Sequence, residues 1–261
     1  MQKTHFLSCT LLFLSLLSGT TFTNMYAADT LRIMSYNTHN AVGMDGKRHY
    51  ARIASVITAS HPNVVALQEL DSVTHRNNGV YALREIAELA GMHYVYCPAI
   101  PYDGGSYGIG ILSHETPLSV ERIPLPGREE ARVLLVAEFA HYVLIATHFS
   151  LTPADEEASA RIVAKTAAKY RKPVFLAGDL NAVPSSKAQR ILRRHFTALT
   201  DTSWVTCEGT CIDYIYARTS RHARFSILHR RLIDDHMASD HCPVLVTLRL
   251  QRNGSPTVSP F

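Results

Sequence analysis

Short apolar runs rich in β-branched and aromatic residues recur along the chain, bounded by polar and turn-forming residues. Runs of this length and composition predict β-strands. Ten runs are predicted strands: Leu31–Tyr36, Val64–Leu67, Tyr94–Cys97, Ile109–Leu112, Val133–Phe139, Val143–Thr147, Val174–Ala177, Ile212–Tyr216, Phe225–Leu228 and Val244–Leu250. Strands are therefore the more numerous of the predicted elements.

Four longer stretches between these runs predict helices: Arg48–Ser60, Val80–Ala90, Pro153–Tyr170 and Ser185–His195. Thr152 ahead of Pro153, with Asp155 in the first turn, is a favourable helix start. Gly91 is a favourable helix stop. Many strands interleaved with few helices indicate an α/β fold with a layered sandwich architecture.

The N-terminal segment has the pattern of a secretory signal peptide. Lys3 is followed by the apolar run Leu11–Leu17 and by a small-residue exit near Ala27. The apolar stretch Phe6–Gly19 is shorter than the roughly 20 residues of a membrane-spanning helix. We expect residues 1–27 to be a signal peptide, with cleavage after Ala27 or alternatively after Ala28. The protein is then exported, to the periplasm or the extracellular space, with no transmembrane span after processing.

The rest of the chain shows no repeat, low-complexity segment or Pro/Gly/Ser-rich linker before its C-terminal tail. Residues 28–250 are predicted to form a single domain, and residues 251–261 a disordered tail. A domain of this length can bury a substantial core. A monomer is expected.

Charge and composition are those of an ordinary globular protein. The chain has 26 Lys and Arg against 22 Asp and Glu, and removal of Lys3 with the signal peptide lowers the net charge from +4 to +3. The basic residues are spread along the chain, which is typical of a solvated surface. Nucleic acid is therefore a possible partner that the charge does not support.

Four cysteines, Cys97, Cys207, Cys211 and Cys242, follow the signal peptide. Export would place them in a compartment that permits disulfides. The tight spacing of Cys207 and Cys211 around Gly209 favours a disulfide across a hairpin turn, with two free thiols as the alternative. A zinc site there would need further ligands. Cys97 and Cys242 adjoin apolar segments and are predicted to be packed thiols.

Polar residues stand at the ends of the predicted strands. Four apolar runs end in a carboxylate, amide or imidazole: Asn37, Glu69, His148, and Asp179 with Asn181. In open α/β sheets, ligands bind at the carboxyl ends of strands. Asp213 and the pair Asp240–His241 instead precede their apolar runs. If all these residues line one rim, the last strands must run antiparallel to the first four, which predicts a mixed sheet.

Such a cluster has the chemistry needed for phosphoester hydrolysis with a divalent metal. Mg²⁺ is held by a few carboxylate or amide oxygens together with water and substrate oxygens. Glu69 is the strongest candidate ligand, with Asn37 and Asp240 as its partners. The predicted cofactor is Mg²⁺ or Mn²⁺.

The remaining polar residues fit the other needs of hydrolysis. Asp179 can accept the proton of an attacking water, while Asn181 can hold the phosphoryl centre. His241, oriented by Asp213, can donate to a phosphoryl oxygen as charge develops. His148 can do the same from the opposite side.

The residues that carry this chemistry also resemble the endonuclease/exonuclease/phosphatase superfamily. The similar stretches occur in the order of that superfamily and cover nearly all of Leu31–Leu250. They are Met34–Asn37, Ala66–Glu69, Gly108–Ser113, Thr147–His148, Gly178–Asn181, Ile212–Tyr214 and Ser239–His241.

The resemblance implies a four-layered α/β sandwich, in which two packed mixed β-sheets are flanked by helices, and a hydrolysis of phosphoesters that depends on Mg²⁺ or Mn²⁺. It implies that Glu69 binds metal with Asn37, that Asp240 lies near the metal, and that Asp179 activates water. Asn181 and His148 would contact phosphate, and Asp213 would orient His241. Arg132 is a further candidate phosphate contact, with an ordinary surface arginine as the alternative.

Substrate specificity is less constrained. Tyr107 is a candidate substrate contact, because Tyr102, Tyr107 and Trp204 can form an apolar or stacking wall; simple packing is the alternative, and it is preferred for Trp204. The segment Pro101–Tyr107 departs from the pattern of abasic endonucleases. Ile109 stands where many compact relatives have Asn. Both departures, and export, disfavour a DNA-repair role.

Three functional hypotheses follow. The first is an exported phosphodiesterase acting on nucleic acid or a lipid-type headgroup. The second is a phosphomonoesterase for inositol-like or sugar phosphates, which would require basic residues such as Lys47, Arg48 and Arg76 to converge at the site. The third is a catalytically silent binding module on the same fold, which the presence of Asp179 and Glu69 disfavours.

Overall fold

The computed structural model describes residues 30–218 and 224–251 of the 261-residue chain. The predicted signal peptide, residues 1–27, lies outside the described residues, as do residues 252–261 of the predicted tail. Gln251 is the last residue of a strand. Within the described ranges, no helix has both the length and the apolar character needed to span a bilayer.

One six-stranded sheet has the spatial order β11-β12-β1-β2-β4-β3. Its strands are β1 (Thr30–Asn37), β2 (Val64–Ser72), β3 (His93–Tyr102), β4 (Gly105–Ser113), β11 (Arg224–Leu232) and β12 (Val244–Gln251). β1 is parallel to β2 and antiparallel to β12. The sheet is therefore mixed.

The second six-stranded sheet has the order β5-β6-β7-β8-β10-β9. Its strands are β5 (Ser119–Leu125), β6 (Arg132–Glu138), β7 (Val143–His148), β8 (Val174–Asp179), β9 (Thr197–Ala198) and β10 (Asp213–Arg218). β7 and β8 are parallel, whereas β10 is antiparallel to β8. The predicted antiparallel direction of the late strands is confirmed in both sheets.

Three apolar cores separate four layers. The first core lies between the two sheets, the second joins the outer face of the β8-containing sheet to the helices α3 (Pro153–Ala167) and α4 (Lys187–Arg193), and the third joins the β1-containing sheet to α1 (Tyr50–Ser60) and α2 (Ala82–Ala90). Because side chains alternate along a strand, neighbouring Ile33 and Met34 enter different cores. The predicted four-layered α/β sandwich is confirmed.

Two strands were not predicted, and both lie at a sheet edge. β5 contains Glu121, Arg122 and Pro124, so it lacks an apolar run. Charged residues and proline are typical of edge strands, because they discourage further pairing. β9 has only two residues. Apolar patterning identifies buried strands better than edges.

β3 and β4 form a longer ribbon than predicted and are joined by Asp103–Gly104. Both turn residues have positive φ, +44° and +81°. A two-residue turn with two positive φ angles matches the twist of the flanking strands, and Asp-Gly is a favoured pair for it. The ribbon carries Tyr102 and Tyr107 to the same end of the sheet.

The predicted Cys207–Cys211 disulfide is wrong, because all four cysteines of the described residues are free and buried. Cys207 pairs across the turn with Thr210, so Cys211 lies on the other face of that segment. The Cys211 thiol points to the carbonyl of Asp213, at 3.8 Å. The expectation that Cys97 and Cys242 are packed thiols is confirmed.

Candidate active site

Strands of both sheets begin or end at one rim. β1, β2, β7 and β8 end there, and β10 begins there, as Asp213 pairs with Asp179 and Asp179 pairs with His148. The segment before β12 brings Asp240 and His241 to the same place. The rim therefore collects polar groups from both sheets.

Asn37 connects the two sheets. It is fully buried, and its Nδ2 donates to Glu69 Oε1 and to Asp179 Oδ2, both at 3.0 Å. Its Oδ1 accepts from the backbone N–H of His39 at 3.1 Å. An amide nitrogen has two hydrogens, so Asn37 holds both carboxylates at fixed positions. His241 Nε2 lies 3.4 Å from the same nitrogen.

Glu69 owes its position to a β-bulge. The register of β2 against β4 shifts between Leu67 and Leu70, and Glu69 has φ +58°. A bulge inserts an unpaired residue and changes the direction of a side chain, and a left-handed backbone is costly for a non-glycine residue. The hydroxyl of Thr38 donates to Gln68 O at 2.9 Å and to Glu69 O at 3.2 Å. These bonds stabilise the bulge.

Asp179 is a fully enclosed carboxylate of the rim, with 1% of its surface exposed, the same as Asp213. Its Oδ1 accepts from the backbone N–H of Asn181 at 2.9 Å, and its Oδ2 lies 3.4 Å from His148 Nε2 and 3.8 Å from His241 Nε2. Burial and the charge of Asp213 raise the pKa of Asp179 to about 7, against the opposing effects of His241 and of the hydrogen bonds. A carboxylate with this pKa can accept a proton near neutral pH.

His241 and Asp213 form a buried pair. His241 Nδ1 donates to Asp213 Oδ2 at 2.9 Å. Burial alone would lower the pKa of His241, but the charge of Asp213 and this hydrogen bond outweigh it and raise the pKa to about 12. Ser239 fixes the backbone here, because its hydroxyl donates to Asn37 O at 2.8 Å and accepts from His241 N–H at 3.2 Å. Because its pKa is raised, His241 is protonated at neutral pH and acts as a hydrogen-bond donor.

His148 is neutral. Burial, together with the charges of Arg132 and His241, holds the pKa of His148 well below its usual value. Arg132 Nη1 lies 3.2 Å from His148 Nδ1 and can only donate, so the ring proton belongs on Nε2. That nitrogen faces Asp179. The neutral tautomer is inferred from these partners.

Arg132 is not an ordinary surface arginine, because only 7% of it is exposed. Its Nη1 lies 3.1 Å from Glu130 Oε1, and its Nη2 lies 3.8 Å from Glu129 Oε1. With Tyr107 and His148 it lines a cavity of about 10 Å³, enough for about one water molecule. Tyr107 therefore lies beside Arg132 and His148 at a small cavity, without an open pocket of its own.

Asp240 lies at the open edge of the rim, with a side chain that is 35% exposed. Its Oδ1 lies 3.2 Å from the Ser239 hydroxyl oxygen, and its carboxylate groups with Cys207 and His241. The donors offered by Glu69, Asn37 and Asp240 are oxygens, which fits a hard ion such as Mg²⁺ or Mn²⁺. Such an ion would be held by these three residues.

Asn181 adopts φ +49°, a left-handed conformation that asparagine tolerates. Its Nδ2 donates to Phe149 O at 3.0 Å. It borders a cavity of about 340 Å³ that Glu156, Glu157 and Lys187 also line. Burial and the charge of Glu157 raise the pKa of Glu156 to about 7. Glu156 was not among the predicted site residues, because nothing in the sequence of this polar helix distinguishes it from the neighbouring acidic residues.

Two of the basic residues named for the phosphomonoesterase hypothesis, Arg48 and Arg76, lie together. Arg48 and Arg76 are in contact, since Arg48 Nη1 donates to Arg76 O. The guanidinium of Arg76, however, makes two 2.7 Å bonds to the buried carboxylate of Asp71, a third to Asn40, and covers the Tyr102 ring at 4.4 Å. Asp71 was also missed, because a single acidic residue on a strand carries no signal. Trp204 packs against the core between the sheets.

The sequence model of the Endonuclease/Exonuclease/phosphatase family matches residues 34–241 of this chain. This range contains every candidate site residue.

Solved structures share the fold. A protein of Beutenbergia cavernae described as endonuclease/exonuclease/phosphatase has 25% identity and a TM-score of 0.69, covering 85% of this chain and 72% of that one. The catalytic domain of human Nocturnin with bound sulfate has 15% identity and a TM-score of 0.66, covering 85% and 95%. A mannosyl-6-phosphatase of Bacteroides thetaiotaomicron has 17% identity and a TM-score of 0.65, covering 84% and 99%.

Proposed function

Because the chain belongs to the endonuclease/exonuclease/phosphatase family, whose members hydrolyse phosphoesters, we propose that it is an exported phosphodiesterase dependent on Mg²⁺ or Mn²⁺. One observation carries this proposal. Asn37 holds the candidate metal ligand Glu69 and the candidate base Asp179 with two 3.0 Å hydrogen bonds from one nitrogen. The candidate metal ligand and the candidate base are thereby held side by side, which supports their acting on one phosphoryl group.

The side chains divide the work of hydrolysis. Asp179 accepts the proton of the attacking water, and the backbone N–H of Asn181 keeps that carboxylate in place. Protonated His241 donates to a phosphoryl oxygen as negative charge develops, while His148 and Arg132 bind the phosphate from the other side. A bound divalent ion supplies charge stabilisation at the phosphoryl oxygens.

The charge balance favours a diester over a monoester. A phosphomonoester carries about −1.5 to −2 near pH 7, whereas a diester carries a single negative charge. Among the described residues of the site, each cation named here faces a carboxylate: Arg132 faces Glu130, Arg76 faces Asp71, and His241 faces Asp213. Little positive charge is left for the second charge of a monoester. Arg76, one of the basic residues named for the phosphomonoesterase hypothesis, is already paired with Asp71, which favours the diester.

The substrate's organic group is proposed to occupy the cavity of about 340 Å³ beside Asn181. Ligand sites for small molecules have volumes of roughly 300–1,000 Å³. A nucleotide or a lipid-type headgroup fits that range. The silent-module hypothesis is disfavoured, because Glu69 and Asp179 are both present and both connected to Asn37.

Export and a monomeric state complete the proposal. The basic residue, apolar run and small-residue exit of the N-terminal segment support export. Mass spectrometry of secreted protein is expected to find an N-terminus at Ala28, and an intact Met1 would contradict export by this route. Size-exclusion chromatography with light scattering tests the monomer.

The function is tested with bis-(p-nitrophenyl) phosphate and p-nitrophenyl phosphate in the presence of Mg²⁺, Mn²⁺ or EDTA. We expect release from the diester that requires metal and exceeds release from the monoester. Preference for the monoester would replace the diesterase by the phosphomonoesterase, and no metal-dependent release from either would contradict the proposal. DNA, RNA and phospholipids then separate nucleic acid from headgroup substrates.

Glu69→Ala tests the metal ligand. We expect a metal requirement raised by tenfold or more, because a carboxylate ligand is removed. Glu85→Ala, which changes an exposed glutamate of α2, is the matched control. An unchanged metal titration in Glu69→Ala would refute the ligand role.

A further inference from the structure

A second group of metal-ligating side chains lies outside the candidate active site, in the segment that leads into β12. Among the residues that the structure describes, ligand atoms of Asp234, His236 and Cys242 lie within 4.8 Å of one another. His236 Nε2 lies 2.8 Å from Asp234 Oδ1, and Cys242 Sγ lies 3.4 Å from Nδ1 and 3.8 Å from Nε2 of the same ring. A thiol, an imidazole and a carboxylate thus meet at one point.

This donor set suits a different ion from the oxygen ligands of the active site. Zn²⁺ binds Cys, His and Asp in tetrahedral sites with bonds of about 2.0–2.3 Å, which separates neighbouring donors by about 3.3–3.6 Å. The 3.8 Å from Nε2 to Sγ and the 2.8 Å from Nε2 to Oδ1 bracket that spacing. We propose that Asp234, His236 and Cys242 bind a thiophilic divalent ion of the zinc class, with water as the fourth ligand.

The exposure of two of the three residues allows an ion to enter. The side chains of Asp234 and His236 are 85% and 72% exposed, whereas Cys242 is 1% exposed. An ion reaches the site through the exposed imidazole and carboxylate and is anchored by the buried sulfur. Thiolate is the binding form of cysteine, so the thiol proton leaves to solvent when the ion binds.

A role of Cys242 as a catalytic nucleophile is less consistent with the structure than a role as a metal ligand. The order Cys242–His236–Asp234 resembles a nucleophile, a base and an orienting acid. A nucleophilic thiol, however, needs a lowered pKa and access to substrate. Burial, followed by the charge of Asp234, raises the pKa of Cys242 instead.

Tyr36 provides an independent observation. It is fully buried, and its hydroxyl has no hydrogen-bond partner among the described residues. Burial, followed by the charges of Asp235 and Cys242, raises the pKa of this hydroxyl. An unpaired buried hydroxyl is costly. It requires a partner that the described side chains do not provide, such as a water molecule.

An ion bound at this site would stabilise the loop that carries His241. Asp234 and Cys242 enclose Ser239, Asp240 and His241 in the chain. Met237 O, within the same loop, already accepts from Met44 N at 3.1 Å and from Arg52 Nη1 at 3.2 Å. An ion bound at both ends of the loop would restrict its remaining freedom and raise the melting temperature by mass action.

Cobalt titration of the full chain, kept reduced with a phosphine, tests this site. Co²⁺ bound to thiolate gives sulfur-to-metal charge-transfer absorption, which the oxygen ligands of the active site do not produce. We expect one such site per chain in the wild type. Cys242→Ser should lose the charge-transfer absorption, and His236→Ala should weaken cobalt binding by tenfold or more. Zn²⁺ should compete with Co²⁺ and raise the melting temperature of the wild type, but not that of Cys242→Ser or His236→Ala.

Cys207→Ser is the matched control, because Cys207 groups with Asp240 and His241 at the active site. The absorption should survive in this variant. Absence of charge-transfer absorption in the wild type, its persistence in Cys242→Ser, or its loss in Cys207→Ser alone would overturn the proposal. If Cys242→Ser fails to fold, His236→Ala at an exposed position decides the result. None of these measurements requires phosphodiesterase activity.

Discussion

The two sides of Asp179 each carry a buried histidine, and the two histidines differ in charge: His241 is protonated and His148 is neutral. His241 lies 2.9 Å from the carboxylate of Asp213, whereas His148 lies 3.2 Å from the guanidinium of Arg132. The pKa of His241 is raised to about 12, and the pKa of His148 is held well below its usual value. The charge of the partner, not the residue type or the burial, decides the difference.

This difference assigns distinct roles to two residues of one type. A protonated imidazole can donate to a developing anion, while a neutral imidazole binds through one N–H. Asp179 lies between them with a pKa of about 7 and can therefore act as the base. The difference between the two histidines can be tested at Asp179, which lies at the centre, at the charged partner of either histidine, or by a change of pH.

Replacement at the centre should have the largest effect. Asp179→Asn keeps the size of the side chain and the oxygen that accepts from Asn181 N–H, but removes the proton acceptor. Loss of a general base costs about 10²–10⁴-fold. We expect kcat on bis-(p-nitrophenyl) phosphate to fall by about 10³-fold, with an unchanged circular dichroism spectrum.

Asp201→Asn is the matched control, because Asp201 is an exposed aspartate that also accepts bonds from a nearby residue, Ser203. It should retain wild-type turnover. Activity of Asp179→Asn close to that of the wild type would remove Asp179 as the base.

Removing the charge beside His241 should have the next largest effect. Asp213→Asn removes the largest of the effects that oppose burial and leaves only Cys207 and the charge of Asp179, so the pKa of His241 should drop and the ring should lose its proton at neutral pH. We expect kcat to fall by about 10²-fold at pH 8 and by less at pH 6. NMR of the imidazole signals measures the pKa directly. An unchanged pKa of His241 would contradict the assignment of Asp213.

Changing the partner of His148 should have a smaller effect. Arg132→Lys keeps the positive charge but cannot contact His148 and Glu130 with one planar group. We expect KM to rise by about tenfold with kcat less affected, since the proposed role of Arg132 is to bind phosphate. Arg128→Lys, at an arginine with a 69% exposed side chain, is the control. Equal kinetics in the two variants would return Arg132 to a purely structural role.

The pH dependence of the wild type should show the smallest effect. Asp179 acts as a base only when deprotonated, so activity rises with pH through about 7. Between pH 6.5 and pH 8, kcat should increase by about fourfold. His241 stays protonated up to about 12, so it sets no descending limb in this range. A decrease in kcat from pH 7 to pH 8 would contradict these protonation states.

The predicted fold agrees with the structure wherever a strand is buried. Runs such as Val143–Thr147 and Val174–Ala177 are apolar because their strands are covered on both faces. β5 was missed because an edge strand needs only one covered face and benefits from charge. The bulge at Glu69 and the Asp103–Gly104 ribbon depend on pairing between strands, which no single segment specifies.

The candidate site was predicted with similar unevenness. Asn37, Asp179 and His241 were identified by their places at strand ends. Arg132 was left open between phosphate contact and surface residue, and its 7% exposure now decides against an ordinary surface position. The Cys207–Cys211 disulfide was wrong, because the turn directs the two thiols to opposite faces. Glu156 had no signal, since its burial depends on the packing of α3 over the loop after β8.

By itself, the sequence determined which groups are present and that they stand at the ends of apolar strands, because hydrophobic alternation and strand length are local properties. It also determined that the late strands run antiparallel to the early ones if all the polar residues share a rim. Only the tertiary structure decided which groups meet. The 3.0 Å bonds of Asn37 to Glu69 and Asp179 join residues far apart in the chain. The neutral state of His148 and the protonated state of His241 follow from such long-range neighbours, since a buried group takes its protonation state from the charges packed around it.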